Sequence, residues 1–338
     1  MRYSMVRATL AAAVFAATAV WAQTGATAAV QVTIDEWMTP SNPPYPHDPE
    51  VAPDGSVWYT GQRANVVGRF DPASGQFKEF PLPTPNSGPH GLVADKNGHI
   101  WYTGNSAALI GRIDPATGKI TEYKMPDPKA RDPHTPIFDS RGILWFTVQG
   151  GNFVGTLDPA DGKVTLVAAP TPNARPYGVK LNSREVPFFD LFGTNKIGSI
   201  DPKTMKITEY TIPAPEARPR RIAIAKDDTV YYTDYARGYL GRLDPKTQKV
   251  EEFASPGGAK SRPYAIAITS DGAVWYAETG DDAHNMLIRF DPQTKSMQSF
   301  GIPSGGGTVR HMVVGKNDEL WLAESGVGKI ARVRWTNK

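Results

Sequence analysis

SGPHGLVADKNGHIWYTGNSAALIGRIDPATGKITEYKMP, residues 87–126, contains four short strand-like runs separated by turns. GLVAD (91–95) alternates apolar and polar residues, KNG closes a hairpin, and HIWYT (99–103) returns. LIGRID (109–114) and KITEYKM (119–125) follow as third and outermost strands. Between these two, PATG places Pro at the second turn position and Gly near its end, which is hairpin chemistry. The aromatic at its centre, Trp101, belongs to a series: Trp58, Trp101, Trp145, Phe188, Tyr231, Trp275 and Trp321, with steps of 43, 44, 43, 43, 44 and 46 residues. A period in the low forties carrying four strands is the signature of a propeller blade, and seven units predict an all-β, seven-bladed β-propeller with four-stranded blades. Alternation along the strands assigns the seven aromatics to the core between blades.

An Asp-Pro pair fixes the register. It lies 13 residues after the aromatic at Asp71, Asp114, Asp158, Asp201 and Asp244, and 16 after it at Asp291, where residues 281–285 lengthen a loop. The seventh repeat stops before reaching it. ITEYKMP (120–126) and ITEYTIP (207–213) resemble TIDEWMTP (33–40), which has no blade around it. This segment is therefore expected to supply the outer strand of the last blade, closing the ring and removing its exposed edges.

Residues 1–22 read as an export signal: Arg2 and Arg7, an apolar Ala-rich run, then Val20-Trp21-Ala22, with cleavage at Ala28 as an alternative. The run is too short to predict a membrane anchor, and the expected location is periplasmic or secreted. Residues 31–338 then form a single propeller domain, expected to be a monomer. Lys and Arg number 37 against 34 Asp and Glu, so charge gives no support to nucleic-acid binding. Cysteine is absent, which excludes disulfides, a lipidated cysteine and a thiol nucleophile.

Function should sit at aligned positions that the framework leaves free. The inner strand begins after a Pro-X pair, with X 11 residues before the aromatic: His47, His90, His134, Tyr177, Arg220, Tyr264 and Arg310. One from each blade, these should converge on the channel mouth. Three residues after the aromatic, the last three blades carry Asp234, Glu278 and Glu324; two before X, blades four to six carry Arg175, Arg218 and Arg262. His311 adjoins the last X position. Three of the six histidines thus occupy one equivalent position.

Such polar residues can simply satisfy strand ends and hold water. Several chemistries are also open. Imidazoles from consecutive blades suit zinc or another transition metal, whereas Asp234, Glu278 and Glu324 suit magnesium or calcium, unless Glu278 and Glu324 pair with Arg262 and Arg310. The arginines favour a small or oligomeric anionic ligand held in bidentate fashion. With His90, His134, Tyr264 or His311 as acid/base, and His47, Tyr177, Arg175, Arg218, Arg220, Arg262 and Arg310 holding the ligand, proton abstraction beside a carbonyl followed by elimination becomes possible.

The unit PHG-(apolar)-x-x-D-x-x-G-x-(I/V)-W-(F/Y)-T followed by (I/L)-G-R-(I/L)-D-P, carried most fully by residues 87–114, resembles the virginiamycin B lyase, or streptogramin lyase, family of seven-bladed propellers. The resemblance spans almost the whole chain after residue 30. It implies C–O bond elimination that opens a cyclic depsipeptide, with a His base in a Glu-Pro-His-Gly motif of the last blade and magnesium held by carboxylates. Here Thr308 and Arg310 stand where the motif has Glu and His, and Tyr264 stands where the preceding blade has a second His. Streptogramin lyase activity itself is therefore not expected. The expected function is a lyase or hydrolase acting on another anionic compound, with a non-catalytic periplasmic binding or scaffold propeller as the alternative.

Overall fold

A computed structural model describes residues 30–281 and 284–337; the expected export signal lies outside them. Seven four-stranded antiparallel sheets form the molecule, and its only helical element is one 3-10 turn at Gly258–Lys260 among the described residues. In blade 2 the strands are Pro89–Ala94, Ile100–Gly104, Leu109–Ile113 and Ile120–Lys124, as the alternation predicts. The repeat aromatics are buried between blades, and five indole N–H groups still find a partner. Trp58 donates to Ser56, Trp101 to Asp95, Trp145 to Asp139, Trp275 to Thr269 and Trp321 to Glu319. Each partner lies at the hairpin between first and second strands, so one bond anchors the core aromatic and shapes the turn.

The ring closes as the repeat count requires. Val30–Met38 pairs antiparallel with Lys329–Asn337 through the full register from Val30↔Asn337 to Met38↔Lys329. Asp35 sits 2.9 Å from Arg332 and 3.0 Å from Arg334, and Glu36 2.7 Å from Lys329. Trp37 stacks on Trp321 at 5.8 Å and packs on Phe70 of blade 1 at 5.0 Å, so the strand that completes blade 7 also fills the seam to blade 1.

What positions the site is an irregularity repeated in every blade. The inner strand pairs with the second strand on both sides of X, but the register shifts between them: Pro46↔Gly61 is followed by Pro49↔Tyr59, and the other six blades shift at the equivalent place. Such a bulge sets extra residues of one strand against fewer of its partner, so X and the residue after it both reach the channel. A threonine of the second strand stabilises it. Thr60 accepts from the Asp48 N–H (3.1 Å) and donates to the His90 carbonyl of blade 2 (2.8 Å). Thr103 does the same for Gly91 and His134, Thr147 for Thr135 and Tyr177, and Thr233 for Arg221 and Tyr264. One hydroxyl thereby fixes the bulge and ties its blade to the next. Gly91 is needed for this approach, because a Cβ there would lie 2.1 Å from the His134 carbonyl oxygen.

Deleting residues 31–40 should leave the third strand of blade 7 as an open edge, giving aggregation or a much lower melting temperature. Trp37→Ala should cost about 2–3 kcal/mol in urea unfolding, below the full cost of a buried Trp because the ring is half exposed. A truncated chain that melts normally and elutes as the intact one does would refute closure by this strand.

Candidate functional site at the channel mouth

The X residues gather at the mouth, and four of them form a chain of ring contacts. His47 and His90 lie 3.7 Å apart between ring centroids, His90 and His134 another 3.7 Å, and His134 and Tyr177 again 3.7 Å. The hydroxyls of Tyr177 and Tyr264 are hydrogen-bonded. Arg220 places its guanidinium 3.9 Å from the Tyr264 ring centroid and 4.1 Å from that of Tyr235, with Phe192 and Tyr177 completing the cage. Arg310 donates to the Tyr45 hydroxyl at 2.5 Å. The three histidines and two tyrosines are each at most 4% exposed, whereas Arg220 and Arg310 are half-buried and so meet solvent. Among the described residues no carboxylate forms an ion pair with either arginine.

The layer beneath is made by the residues after X. Arg221 crosses the channel from blade 5 and holds Asp48 of blade 1 through one nitrogen, at 2.9 and 3.1 Å from its two oxygens, and donates to Thr135 of blade 3 at 3.1 Å. His47 Nδ1 is 2.9 Å from Asp48, and His134 Nδ1 is 3.0 Å from Thr135, so the lower layer also orients two rings of the upper one. Asp190 takes the place of the clip threonine in blade 4 and accepts from the Gly178 N–H at 2.9 Å. Its other oxygen is buried without a partner, and burial holds its carboxyl well above the ordinary range.

Titration follows from this crowding. Burial lowers His47, His90, His134 and His311 well below the usual imidazole value, and Arg221 adds to the effect on each. All four are neutral at pH 7. Burial pushes Asp48 up, but Arg221 together with His311 and His90 outweighs it, and the carboxyl lies below its ordinary value. Burial raises Tyr177 strongly, with Tyr264 beside it. For Tyr264 burial also acts upward, yet Arg220, Arg221 and Arg310 outweigh it, so the phenol lies below its usual pKa. Three cations favour its anion.

Several expected members are placed elsewhere. The bulge puts Arg310 at the mouth and His311 one layer below it, so His311 does not join the histidine ladder. Arg218 spends its guanidinium on the Pro215 and Ala217 carbonyls. Arg175 and Arg262 take left-handed backbone (φ 55° and 49°) and are exposed at the rim, Arg175 bonded to Gln149 at 2.6 Å and 5.6 Å from the Phe192 centroid, Arg262 5.8 Å from that of Tyr235. The three carboxylates do not gather. Asp234 pairs with Arg237 at 2.6 Å and accepts from the Arg218 N–H, Glu278 accepts from Ser255 and Gly257, and Glu324 accepts from Ser304. Burial holds Glu324 at about 8. Each staples a loop of its own blade or its neighbour, and none pairs with Arg262 or Arg310.

These carboxylates therefore do not fit the magnesium that the family resemblance implies. Another group could hold a metal: the ligand atoms of His47, Asp48 and His90 lie within 4.8 Å of one another. His90 Nδ1 is buried without a partner, but Asp48 is already held by Arg221 and the surrounding charge is positive. Repeat alignment alone would not have found Arg221, Asp48 or the Tyr235 and Phe192 cage walls. The signal for Arg221 and Asp48 was the polarity of the residue after X, at Asp48, Thr135, Arg221 and His311, which a regular strand would have turned away from the channel; Tyr235 and Phe192 instead share a repeat position, four residues after the core aromatic.

The chain matches the model of the virginiamycin B lyase family over residues 13–189 and 184–338, and it belongs to that family. A solved streptogramin B lyase is 27% identical, with a TM-score of 0.81, covering 90% of this chain and 98% of that one. A catalytically inactive virginiamycin B lyase variant from Staphylococcus aureus, solved with quinupristin, is 25% identical with a TM-score of 0.80, covering 90% of this chain and 99% of that one. No curated protein sequence matches the chain.

Because the ladder histidines have lowered native pKa values, the unfolded chain takes up protons below about pH 6.5 that the native state refuses, and stability falls as pH falls. Asp190 and Glu324, raised by burial, act in the opposite sense above the ordinary carboxylate pKa. A difference between variants isolates the histidine contribution. His134→Phe should make the fall in urea-unfolding free energy between pH 6.5 and 5 shallower by up to about 1.4 kcal/mol per pH unit. An unchanged slope would mean that His134 titrates normally in the folded protein.

Proposed function

We propose that the channel mouth captures an anionic ligand on Arg220 and Arg310 and that Tyr264 serves as the base of a lyase reaction on it. The observation that carries this reading is the convergence of two arginines without carboxylate partners among the described residues on a tyrosine whose pKa they lower. Guanidinium groups recognise carboxylate, and a phenolate beside them can remove the proton from the carbon next to a carboxylate or carbonyl. The electron pair of that C–H bond forms a C=C bond as the C–O bond to the leaving group breaks, and the abstracted proton ends on the leaving oxygen. Arg220 and Arg310 stabilise the enolate charge that develops between these events. Tyr177, bonded to Tyr264, holds the phenol in place. Family membership supports elimination as the reaction class, with Tyr264 taking the role of the histidine bases that this chain lacks.

The reading includes export and action as a monomer on a small or oligomeric anion, supported by the signal-like residues 1–22. For a cofactor, two imidazoles and one carboxylate at His47, His90 and Asp48 suit zinc better than magnesium, and a bound ion there would require Arg221 to release Asp48. A second reading is ligand binding without turnover. It is favoured by the depth of Tyr264, which is 0% exposed beneath the Arg220 guanidinium.

Thermal-shift screening of uronates, hydroxy-acid esters and cyclic depsipeptides should identify a carboxylated ligand, which mass spectrometry then follows with enzyme and variants. Tyr264→Phe should abolish product formation while holding affinity within about tenfold, because the lost interaction belongs to the transition state. Arg220→Met and Arg310→Met should each weaken capture by about 1.5–3 kcal/mol. Recovery of every bound ligand intact, with and without added zinc or magnesium, would overturn the catalytic reading and leave the binding one.

A further inference from the structure

The other end of the channel has a different chemistry. Inner strands run from the mouth toward the first hairpin, so residues three beyond X line the far end. Two of these are charged, Glu50 from blade 1 and Lys180 from blade 4. They border a cavity of about 380 Å³ that is roofed by Thr135 and His311 of the middle layer. Its walls are aliphatic, with Val93, Ile137, Ile266 and Val313 among them, contributed by blades 2, 3, 6 and 7. Glu50, Lys180, Val93 and Ile137 are half-buried, so the cavity opens to solvent at this end. A volume of that size is sufficient for a small ligand.

The cavity's polar groups are left without matched partners. Neither Glu50 nor Lys180 forms an ion pair among the described residues, although both line the same space, Glu50 from blade 1 and Lys180 from blade 4 on the other side of the ring. His311 Nδ1 is buried, lines the same space and has no partner. An acceptor and a donor of opposite charge facing each other across an apolar cavity are complementary to a molecule bearing both charges and an apolar body.

We propose that this lower cavity is a second binding site, separate from the mouth, for a small zwitterion with an apolar side chain of the kind an aliphatic α-amino acid presents. Its carboxylate lies on Lys180, its ammonium on Glu50 and its side chain against the aliphatic wall. The layer of Arg221, Asp48 and Thr135 separates this site from Tyr264 and Arg220, so the two bind independently.

Isothermal titration of the full chain at pH 8 with L-leucine, glycine, 4-methylpentanoate and 3-methylbutylamine tests this without reference to activity. Leucine should bind at least about tenfold more tightly than each of the other three, since glycine lacks the apolar body and each remaining probe lacks one charge. Lys180→Met should weaken leucine and 4-methylpentanoate about tenfold and spare the amine; Glu50→Gln should weaken leucine and the amine and spare the carboxylate. Arg220→Met at the mouth should leave leucine binding unchanged. Leucine binding no tighter than the single-charge probes on the unaltered protein would overturn the proposal even if a variant failed to fold. Loss of leucine binding in Arg220→Met would also overturn it, because the amino acid would then be held at the mouth.

Discussion

Seven inner strands meeting at one axis leave room for one side chain per blade in each layer, and that crowding governs everything in the channel. It packs the rings of His47, His90 and His134 at 3.7 Å intervals, tilted against one another, and buries them. The bulge in each inner strand doubles what this space holds, because X and the residue after it both enter. The threonine clips keep the bulges from relaxing into regular pairing. Loss of one clip disturbs two blades, since the same hydroxyl accepts from one and donates to the next.

Electrostatics then divides the polar residues into those that can act and those that only support. Arg220, Arg221 and Arg310 bring three permanent positive charges to the ring, and Asp48 is the carboxylate ion-paired there, already held by Arg221. Under that field an imidazole stays neutral, a phenol loses its proton more readily and an anion is attracted. A divalent cation meets the opposite situation. The carboxylates that might have received one are turned to flanking loops, where Asp234, Glu278 and Glu324 satisfy loop N–H groups, hydroxyls and Arg237. Family membership therefore carries the architecture, while the chemistry at the mouth is argued from this chain's own residues.

The two ends of the channel are separated by the same layer that builds the upper one. Arg221 reaches from blade 5 to blades 1 and 3, so a single side chain connects opposite sides of the ring and closes the passage between mouth and lower cavity. Breaking this buried pair by Asp48→Asn would leave a charge without its partner, a change that typically costs about 3–5 kcal/mol. The mouth is thus rigid beneath its half-exposed arginines. Different blades supply the charged groups of each end, which permits the ends to recognise different ligands.

The amino-acid sequence by itself determined the blade number, strand order, closure by residues 33–40 and the set of side chains at X. These follow from spacing and alternation, which are local and repeat seven times. It also placed His47, His90, His134, Tyr177, Arg220, Tyr264 and Arg310 at one mouth, because equivalent positions in a closed ring must face the same axis. Only the tertiary structure decided which polar residues meet. The bulge breaks the two-residue alternation from which facing was inferred, so Arg221 and Asp48 enter the channel and His311 drops a layer. Arg218, Asp234, Glu278 and Glu324 were aligned correctly along the chain but turned to loop groups of their own or the adjoining blade. Strand spacing sets the height of a residue in the ring; the direction of its side chain depends on partners brought near only when the blades close.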